Sequence, residues 1–212
     1  FIFAWRLEKK RLQLESIVPQ WLDAMHELEA LQSLANYAWL YPGTIFPDIH
    51  EAGGGRDVLR AEALGHPLLP VKSRVRNDVT LAPERDLLLI TGSNMSGKST
   101  MLRTVGITAA LAYAGGPVDA RTLSLAHARL FTCIHISDSL RDGVSYFYAE
   151  VRRLRRLLDM LAEQDSRPVV FLIDEMFRGT NTRERHIGGE AFIRELAKRS
   201  ATSAFFTSPL CT

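Results

Sequence analysis

The chain has 212 residues, of which 46% are hydrophobic and 24% are charged, and its formal net charge is +2. This length is sufficient for one α/β domain and a smaller additional segment, and the composition is that of a globular protein. The small net charge gives no indication that the chain binds nucleic acid or a membrane surface electrostatically. Two cysteines, Cys133 and Cys211, are too few and too far apart in sequence for a disulfide framework or a zinc site.

Both ends of the sequence look cut. The chain starts "FIFAW" without an initiator methionine and ends "FFTSPLCT" directly after an apolar stretch, so we expect a fragment of a longer protein. "FIFAW" is much shorter than the roughly 20 apolar residues of a bilayer-spanning helix, and it leaves membrane association of a preceding segment open. No signal peptide is visible, so cytoplasmic surroundings are expected.

Leucines recur at spacings of three and four through residues 4–40, which predicts a helical segment. Pro19 interrupts this pattern and predicts that a second helix starts there, after a break at residues 16–18. The prolines and glycine of "YPGTIFP" end the segment. We predict that residues 1–50 form a helical lever or connector. Plain packing helices are the alternative, because a pattern of only two or three heptads cannot distinguish the two.

Apolar runs and helical patterns alternate through residues 51–212, which we predict to be one domain. Strands are predicted for "DLLLIT", "RLFTCIHI", "PVVFLID" and "SAFFTS", and a strand pair for "DVLRAEALGHPLLP" after the glycines at 53–55. Helices are predicted for residues 98–114, 146–163 and 183–199. Strands that alternate with helices of this length predict an α/β fold with a mostly parallel sheet covered by helices on both faces.

The stretch "GSNMSGKST" lies between a predicted strand and a predicted helix and matches the pattern G-x-x-x-x-G-K-[ST]. Gly92 and Gly97 allow a tight backbone path whose N–H groups face a phosphate. Lys98 supplies a positive charge for the β- and γ-phosphates, and Ser99 supplies a hydroxyl for Mg²⁺. A nucleoside triphosphate is therefore the predicted ligand. Its predicted contacts, which we call the phosphate loop, are Gly92, Ser93, Asn94, Met95, Ser96, Gly97, Lys98, Ser99 and Thr100.

An acidic pair ends the apolar run "VVFLIDE". Asp174 falls at the C-terminal end of the predicted strand, where its carboxylate could hold Mg²⁺ together with Ser99. Glu175 is then the group that could orient and polarise an attacking water. A solvated turn is the alternative interpretation, and the presence of the phosphate loop favours the catalytic one.

A polar turn formed by Gly179, Thr180 and Asn181 follows the acidic pair. No core role is evident for it, so a contact across a dimer interface is one interpretation and a helix cap at Thr182 is the other. Upstream, "EVRRLRRLLDML" has leucines on one helical face and arginines on the rest. We interpret these arginines as a solvated or interface face rather than as a DNA-binding surface.

Taken together, "ITGSNMSGKST", "DSLRDGVSYFYAE" and "FLIDEMFRGTNTRER" closely resemble the ATPase domain of the MutS family over roughly residues 56–208. The resemblance implies a P-loop NTPase fold, ATP and Mg²⁺ as ligands, ATP hydrolysis, and preceding helices from the end of that family's lever region. "DGVSYF" and "GTNTRER" are similar to a shorter branch whose members generally lack the mismatch-reading domain. DNA mismatch repair and a role outside it therefore both stay open.

The resemblance also implies a homodimer, because MutS ATPases close each nucleotide site with a partner subunit. Ser145 occupies the signature position, from which it would reach the γ-phosphate held by the partner. Its backbone N–H at a helix N-terminus is a suitable anion donor, and a local helix cap is the alternative interpretation. In the family, the clamp that ATP drives binds double-stranded DNA, mismatched or not, through regions outside this chain.

The chain departs from the family pattern at two places. A histidine usually follows the last core strand, whereas this chain has Thr207 and Ser208. This indicates either weakened hydrolysis or a truncated or frame-shifted end, and the abrupt "PLCT" favours the latter. The family often stacks an aromatic residue on adenine, whereas "VKSRVRNDV" offers Arg74 and Arg76, and a guanidinium can also stack on a base.

Two alternatives to the ATPase interpretation follow. A nucleotide-gated structural dimer with little turnover fits the missing histidine at Ser208. An ATPase of the SMC or ABC type would carry a leucine-serine-glycine signature, which "GVSYF" matches poorly.

Overall fold

A computed structural model of the chain describes residues 1–82, 87–93, 95–134, 146–163, 165–174, 176–177, 181–197 and 202–207. The α-helices of these residues are α1 (Ile2–Glu15), α2 (Val18–Leu40), α3 (Lys98–Tyr113), α4 (Tyr146–Ala162) and α5 (Thr182–Ala197). The strands are β1 (Asp48–His50), β2 (Leu59–Leu64), β3 (Asn77–Leu81), β4 (Leu87–Ile90), β5 (Thr122–Ala126), β6 (Arg129–Cys133), β7 (Val169–Asp174) and β8 (Thr202–Thr207). None of the described helices is long and apolar enough to cross a membrane. The chain divides into two compact units, Phe1–Pro42 and Gly43–Thr212.

The first unit consists of α1 and α2, and the break between them lies where the sequence predicts it. Ser16 and Ile17 form the turn, and Pro19 lies in the first turn of α2, where its missing N–H costs no helical hydrogen bond. No residue of either helix is buried. The role of residues 1–50 as a lever or connector stays a prediction.

The described residues of the second unit form two four-stranded sheets. In the first, which has the strand order β1-β5-β2-β3, β1 runs parallel to β5, and β2 runs antiparallel to both β5 and β3. In the second, which has the order β4-β8-β7-β6, all neighbouring strands are parallel. We call them the mixed sheet and the parallel sheet.

The predicted fold class, a P-loop NTPase with one mostly parallel sheet covered by helices on both faces, is therefore wrong. Half of the described strands lie in the mixed sheet. On one side of the parallel sheet, residues of β7 pack in one hydrophobic cluster with both α3 and the mixed sheet. The strand pair predicted for "DVLRAEALGHPLLP" is wrong, because this stretch contains one strand, β2. β2 pairs with β3 and β5, neither of which we predicted. Local periodicity could not show this pairing, because β2 and β5 are far apart in sequence.

The strands predicted from the other apolar runs are confirmed as β4, β6, β7 and β8, and the three helices between them as α3, α4 and α5. β7 is one of the two inner strands of the parallel sheet, and both of its faces are buried, as expected for a parallel strand. Val170 and Leu172 pack into one cluster with α3 and the mixed sheet. Val169, Phe171 and Ile173 pack into a second cluster with β6, α4 and α5.

Gly106 allows α3 to approach β7 closely. A Cβ atom at this position would lie 2.9 Å from Cδ1 of Leu172, which is itself fully buried. Lys98 is the first residue of α3, so this contact helps to fix the start of the helix relative to the strand.

A buried ion cluster ties the segment after β2 to the residues before β5. The guanidinium of Arg74 contacts the carboxylate of Asp119, and both side chains are almost completely buried. Arg74 also donates hydrogen bonds to the carbonyl oxygens of Pro67 and Leu69, and Arg76 binds the other oxygen of Asp119 at 2.8 Å. The cluster therefore has its buried charges paired and hydrogen-bonded, which is the condition for burying them at all.

We expect Asp119→Ala to destabilise the fold strongly, because it leaves the buried guanidinium of Arg74 without its carboxylate. Loss of one partner of a buried ion pair costs about 3–5 kcal/mol. Denaturant unfolding measures this change in the free energy of unfolding. Glu190→Ala is the control, because it removes an ion pair with Arg194 in which both side chains are exposed, and it should leave the stability nearly unchanged. Equal effects of the two substitutions would contradict the structural role of the cluster.

Candidate nucleotide site

The strands of the parallel sheet end at one edge, and the candidate site lies there. Thr207 of β8 pairs with Ile90 of β4 on one side and with Asp174 of β7 on the other. Neighbouring strands lie about 4.8 Å apart, so the Cα atoms of Ile90 and Asp174 are separated by roughly 10 Å. Because Thr91 and Gly92 follow Ile90 directly, the register places the start of the phosphate loop and the carboxylate of β7 at the same edge.

The phosphate loop turns sharply before α3. Gly97 has φ +93°, a left-handed conformation that L side chains rarely adopt, and its carbonyl oxygen accepts the Met101 N–H at 2.9 Å. Gly92 also has a positive φ, and a Cβ atom there would lie 3.0 Å from Oγ of Ser96. Met95, at φ +66°, presents a fully exposed side chain. The backbone conformations at Gly92 and Gly97 therefore both favour glycine.

Lys98 is a buried lysine, 8% exposed, at the head of α3. Its Nζ donates hydrogen bonds to the carbonyl oxygens of Gly92 at 2.6 Å and Ser93 at 2.7 Å. A buried ammonium group needs such acceptors, and they hold the positive charge inside the turn of the loop. The first N–H groups of α3 and the positive end of its dipole lie at the same place.

A groove of about 660 Å³ runs from the phosphate loop along β3. One side is formed by loop residues that include Gly92, Ser93 and Lys98, and the other by the strand residues from Asn77 to Thr80. Its volume is within the range of small-molecule sites, so the site has room for a ligand larger than a phosphate ion.

Two oxygen-bearing side chains could hold a divalent cation at this edge. Ser99, the second residue of α3, and Asp174, the last residue of β7, are both half-buried. Hydroxyl and carboxylate oxygens are the ligands that Mg²⁺ prefers, together with phosphate oxygens and waters. The residues present therefore fit the predicted cation.

Several predicted site residues lie outside the described residues. They are Asn94, Ser145, Glu175, Gly179, Thr180 and Ser208. Of the turn that follows the acidic pair, Asn181 is described, and its Oδ1 accepts the N–H of Glu184 at 2.9 Å. The side chain that caps α5 is therefore Asn181, and the cap predicted at Thr182 is misplaced by one residue.

Arg74 and Arg76, which we considered as residues that could stack on adenine, both bind Asp119 instead. Arg74 is buried in the ion cluster with Asp119, so its guanidinium is not available to a base in the groove. Arg76 remains partly exposed but binds the same carboxylate. On α4, Arg152, Arg155 and Arg156 are exposed, as we predicted, and Leu154 and Leu157 are buried.

Glu150, on α4, is a residue of the site region that the sequence analysis missed. It is only 3% exposed, and its Oε1 accepts the backbone N–H of Phe177, in the turn after β7, at 2.5 Å. The signal was present in the spacing, because residues 150, 154, 157 and 161 lie on one face of a helix. A glutamate in an otherwise leucine stripe predicts a buried carboxylate with a specific partner.

Cys133, the last residue of β6, is buried next to this carboxylate. The pKa of its thiol is raised from the ordinary value of 9.0 to about 11, mainly by burial and also by the negative charge of Glu150, while the guanidinium of Arg153 opposes the shift. The thiol is thus inert near neutral pH.

This pKa shift predicts a loss of stability at alkaline pH. Below pH 9 the thiol is protonated in both the folded and the unfolded chain. Between pH 9 and 11 the unfolded chain loses the proton that the folded chain keeps, so the free energy of unfolding falls by up to about 3 kcal/mol. The test is to measure the free energy of unfolding of the unmodified protein and of Cys133→Ala from pH 8 to about pH 11. The decrease caused by the thiol should be missing in Cys133→Ala, because all other titrating groups are the same in both proteins. Parallel pH profiles would contradict the prediction.

Comparison with known proteins bears on the same residues. A family model described as MutS domain V matches residues 88–210. Two proteins named DNA mismatch repair protein MutS, from Nitratidesulfovibrio vulgaris strain DP4 and strain Hildenborough, are each 37% identical to the chain over 183 residues. The alignment covers 84% of this chain and 19% of each relative, so the chain spans about a fifth of their length. These matches confirm the resemblance noted in the sequence, and the chain belongs to the MutS family.

Proposed function

We propose that the chain binds and hydrolyses ATP in the presence of Mg²⁺, as the ATPase domain of a MutS-family protein. The observation that carries the proposal is the buried ammonium group of Lys98, held among loop carbonyls at the head of α3. It lies on the same sheet edge as the carboxylate of Asp174.

Each residue has a role in this proposal. Lys98 and the first N–H groups of α3 bind the β- and γ-phosphates, because a charge-assisted bond to an anionic oxygen is stronger than one to the carbonyls of Gly92 and Ser93. Ser99 and Asp174 hold Mg²⁺, which when bound neutralises charge on the phosphate oxygens. Glu175 orients the attacking water and accepts its proton.

The assembly is part of the same proposal. Ser145, directly before α4, completes the site of a partner subunit, so the ATPase domains form a homodimer. DNA is bound through regions outside this chain, in a cytoplasmic protein. The relatives are named for DNA mismatch repair, which supports that role here, and a MutS-related role outside repair is the alternative. Ser208, in place of a histidine, supports a second candidate, a nucleotide-gated dimer with little turnover.

Lys98→Ala tests nucleotide binding. Hydrogen bonds to charged groups contribute roughly 1.5–3 kcal/mol, so ATP affinity should fall by about 10- to 100-fold and turnover should be lost. Equilibrium binding of ATP with Mg²⁺ and steady-state hydrolysis measure the two effects. Lys72→Ala is the matched control, because Lys72 is an exposed lysine away from the groove. If Lys98→Ala binds and hydrolyses ATP like the unmodified protein, the phosphate-loop assignment fails.

A mixing experiment tests the shared site. Ser145→Arg and Lys98→Ala should each be nearly inactive alone, because every site of either homodimer carries one lesion. In a mixed dimer one site carries both lesions and the other carries neither, so mixing should restore activity. The restored rate should approach about half that of the unmodified dimer if the two sites contribute independently. Absence of rescue, with both variants folded and associated, would show that Ser145 acts only within its own chain.

A further inference from the structure

Phe177, in the turn after β7, has contacts with two helices, α4 and α5. The residue has φ +58°, which costs free energy for a bulky side chain and persists only when the surroundings impose it. Its N–H is bound by the carboxylate of Glu150 on α4. Its ring lies 6.1 Å from that of Phe147, also on α4, and a Cβ atom at Gly188 of α5 would lie 3.1 Å from the ring.

These contacts bear on the acidic pair. Asp174 is fixed by its pairing with Thr207 in the sheet, and Met176 is buried in the core. Phe177 is fixed by Glu150, which is 27 residues away in sequence. Glu175 is therefore preceded and followed in the chain by residues whose backbone is held in place.

We propose that Glu150 is a positioning residue for ATP hydrolysis, which fixes the turn after β7 and thereby the place from which Glu175 acts on water. This inference rests on the proposed ATPase function and goes beyond it, since Glu150 would act through the backbone of Phe177. The carboxylate is suited to this role because a charged acceptor binds a backbone N–H more strongly than a neutral one.

A positioning role and a merely structural role predict different kinetics. If Glu150 positions the turn, its loss lowers kcat and leaves KM for ATP unchanged, because the phosphate loop belongs to β4 and α3 rather than to this turn. If Glu150 only stabilises the fold, any equally destabilising change in α4 lowers activity to the same degree. Leu157, fully buried on the same helix, provides that comparison.

The first arm of the experiment compares Glu150→Leu, Glu150→Gln and Leu157→Ala in the full-length protein. Glu150→Leu should lower kcat by up to roughly 100-fold, the effect of a small misplacement in a catalytic site. Glu175→Gln, which removes the proposed base, should likewise lower kcat while ATP still binds. Glu150→Gln keeps an acceptor for the Phe177 N–H and should retain most of the activity. Leu157→Ala should lose stability but retain kcat. Amide exchange at Phe177, measured relative to core amides of the same variant, should accelerate in Glu150→Leu and not in Glu150→Gln or Leu157→Ala.

The second arm reaches the same turn from α5 without touching Glu150. Gly188→Ala places a methyl group against the Phe177 ring, whereas at Gly189 a Cβ atom would lie at an ordinary 3.8 Å from Cε of Met176. Both substitutions favour the helix equally, since alanine is the better helix former, so both proteins should fold. Gly188→Ala should lower kcat severalfold, and Gly189→Ala should not.

The outcomes separate the two proposals. Unchanged kcat in both Glu150→Leu and Gly188→Ala overturns the positioning role, as does a Leu157→Ala variant that is as slow as Glu150→Leu. A Glu150→Gln variant as slow as Glu150→Leu, or a loss confined to ATP affinity, also overturns it. An unmodified full-length protein that binds ATP but does not turn it over overturns the proposed hydrolysis, and the inference with it.

Discussion

Burial of β7 on both faces is the constraint on which the second unit depends. Its alternate side chains belong to two different hydrophobic clusters, so the strand joins α3 and the mixed sheet on one side to α4 and α5 on the other. A strand in this position cannot slip by one residue, because a slip would exchange the two sets of side chains. The end of β7 is consequently a fixed point, and Asp174 occupies it.

The phosphate loop is constrained differently, by charge. The ammonium group of Lys98 is buried and needs acceptors, and the carbonyls of Gly92 and Ser93 supply them. These hydrogen bonds close the loop over the head of α3, with Gly97 in a conformation that suits glycine. The site thus combines a loop held by a buried cation with a carboxylate held by strand register. An anionic ligand with a divalent cation complements both.

The sequence predicted the helices and the strands of the parallel sheet, but it predicted neither β1, β3 and β5 nor the assembly of the mixed sheet. Runs such as "PVVFLID" and the leucine spacing of α4 are local patterns, and both gave the correct element. The mixed sheet depends on the pairing of β2 with β5, which no local pattern contains, and the parallel sheet was wrongly extended to include that region. At the site, the phosphate loop was recognisable because it is contiguous. The role of Arg74 was not, because its partner Asp119 is distant in sequence.

Helix α4 shows how one element can serve several parts of the site. Its first residue follows Ser145 directly, and Glu150 lies little more than one turn further along. The same side of the helix then enters the core through Leu154 and Leu157. A helix is stiff over this length, so a displacement of its start by a partner's nucleotide would also move the carboxylate that holds Phe177. The proposed contact in the partner's site and the turn after β7 would then respond together, through one rigid element rather than through a chain of separate side-chain contacts.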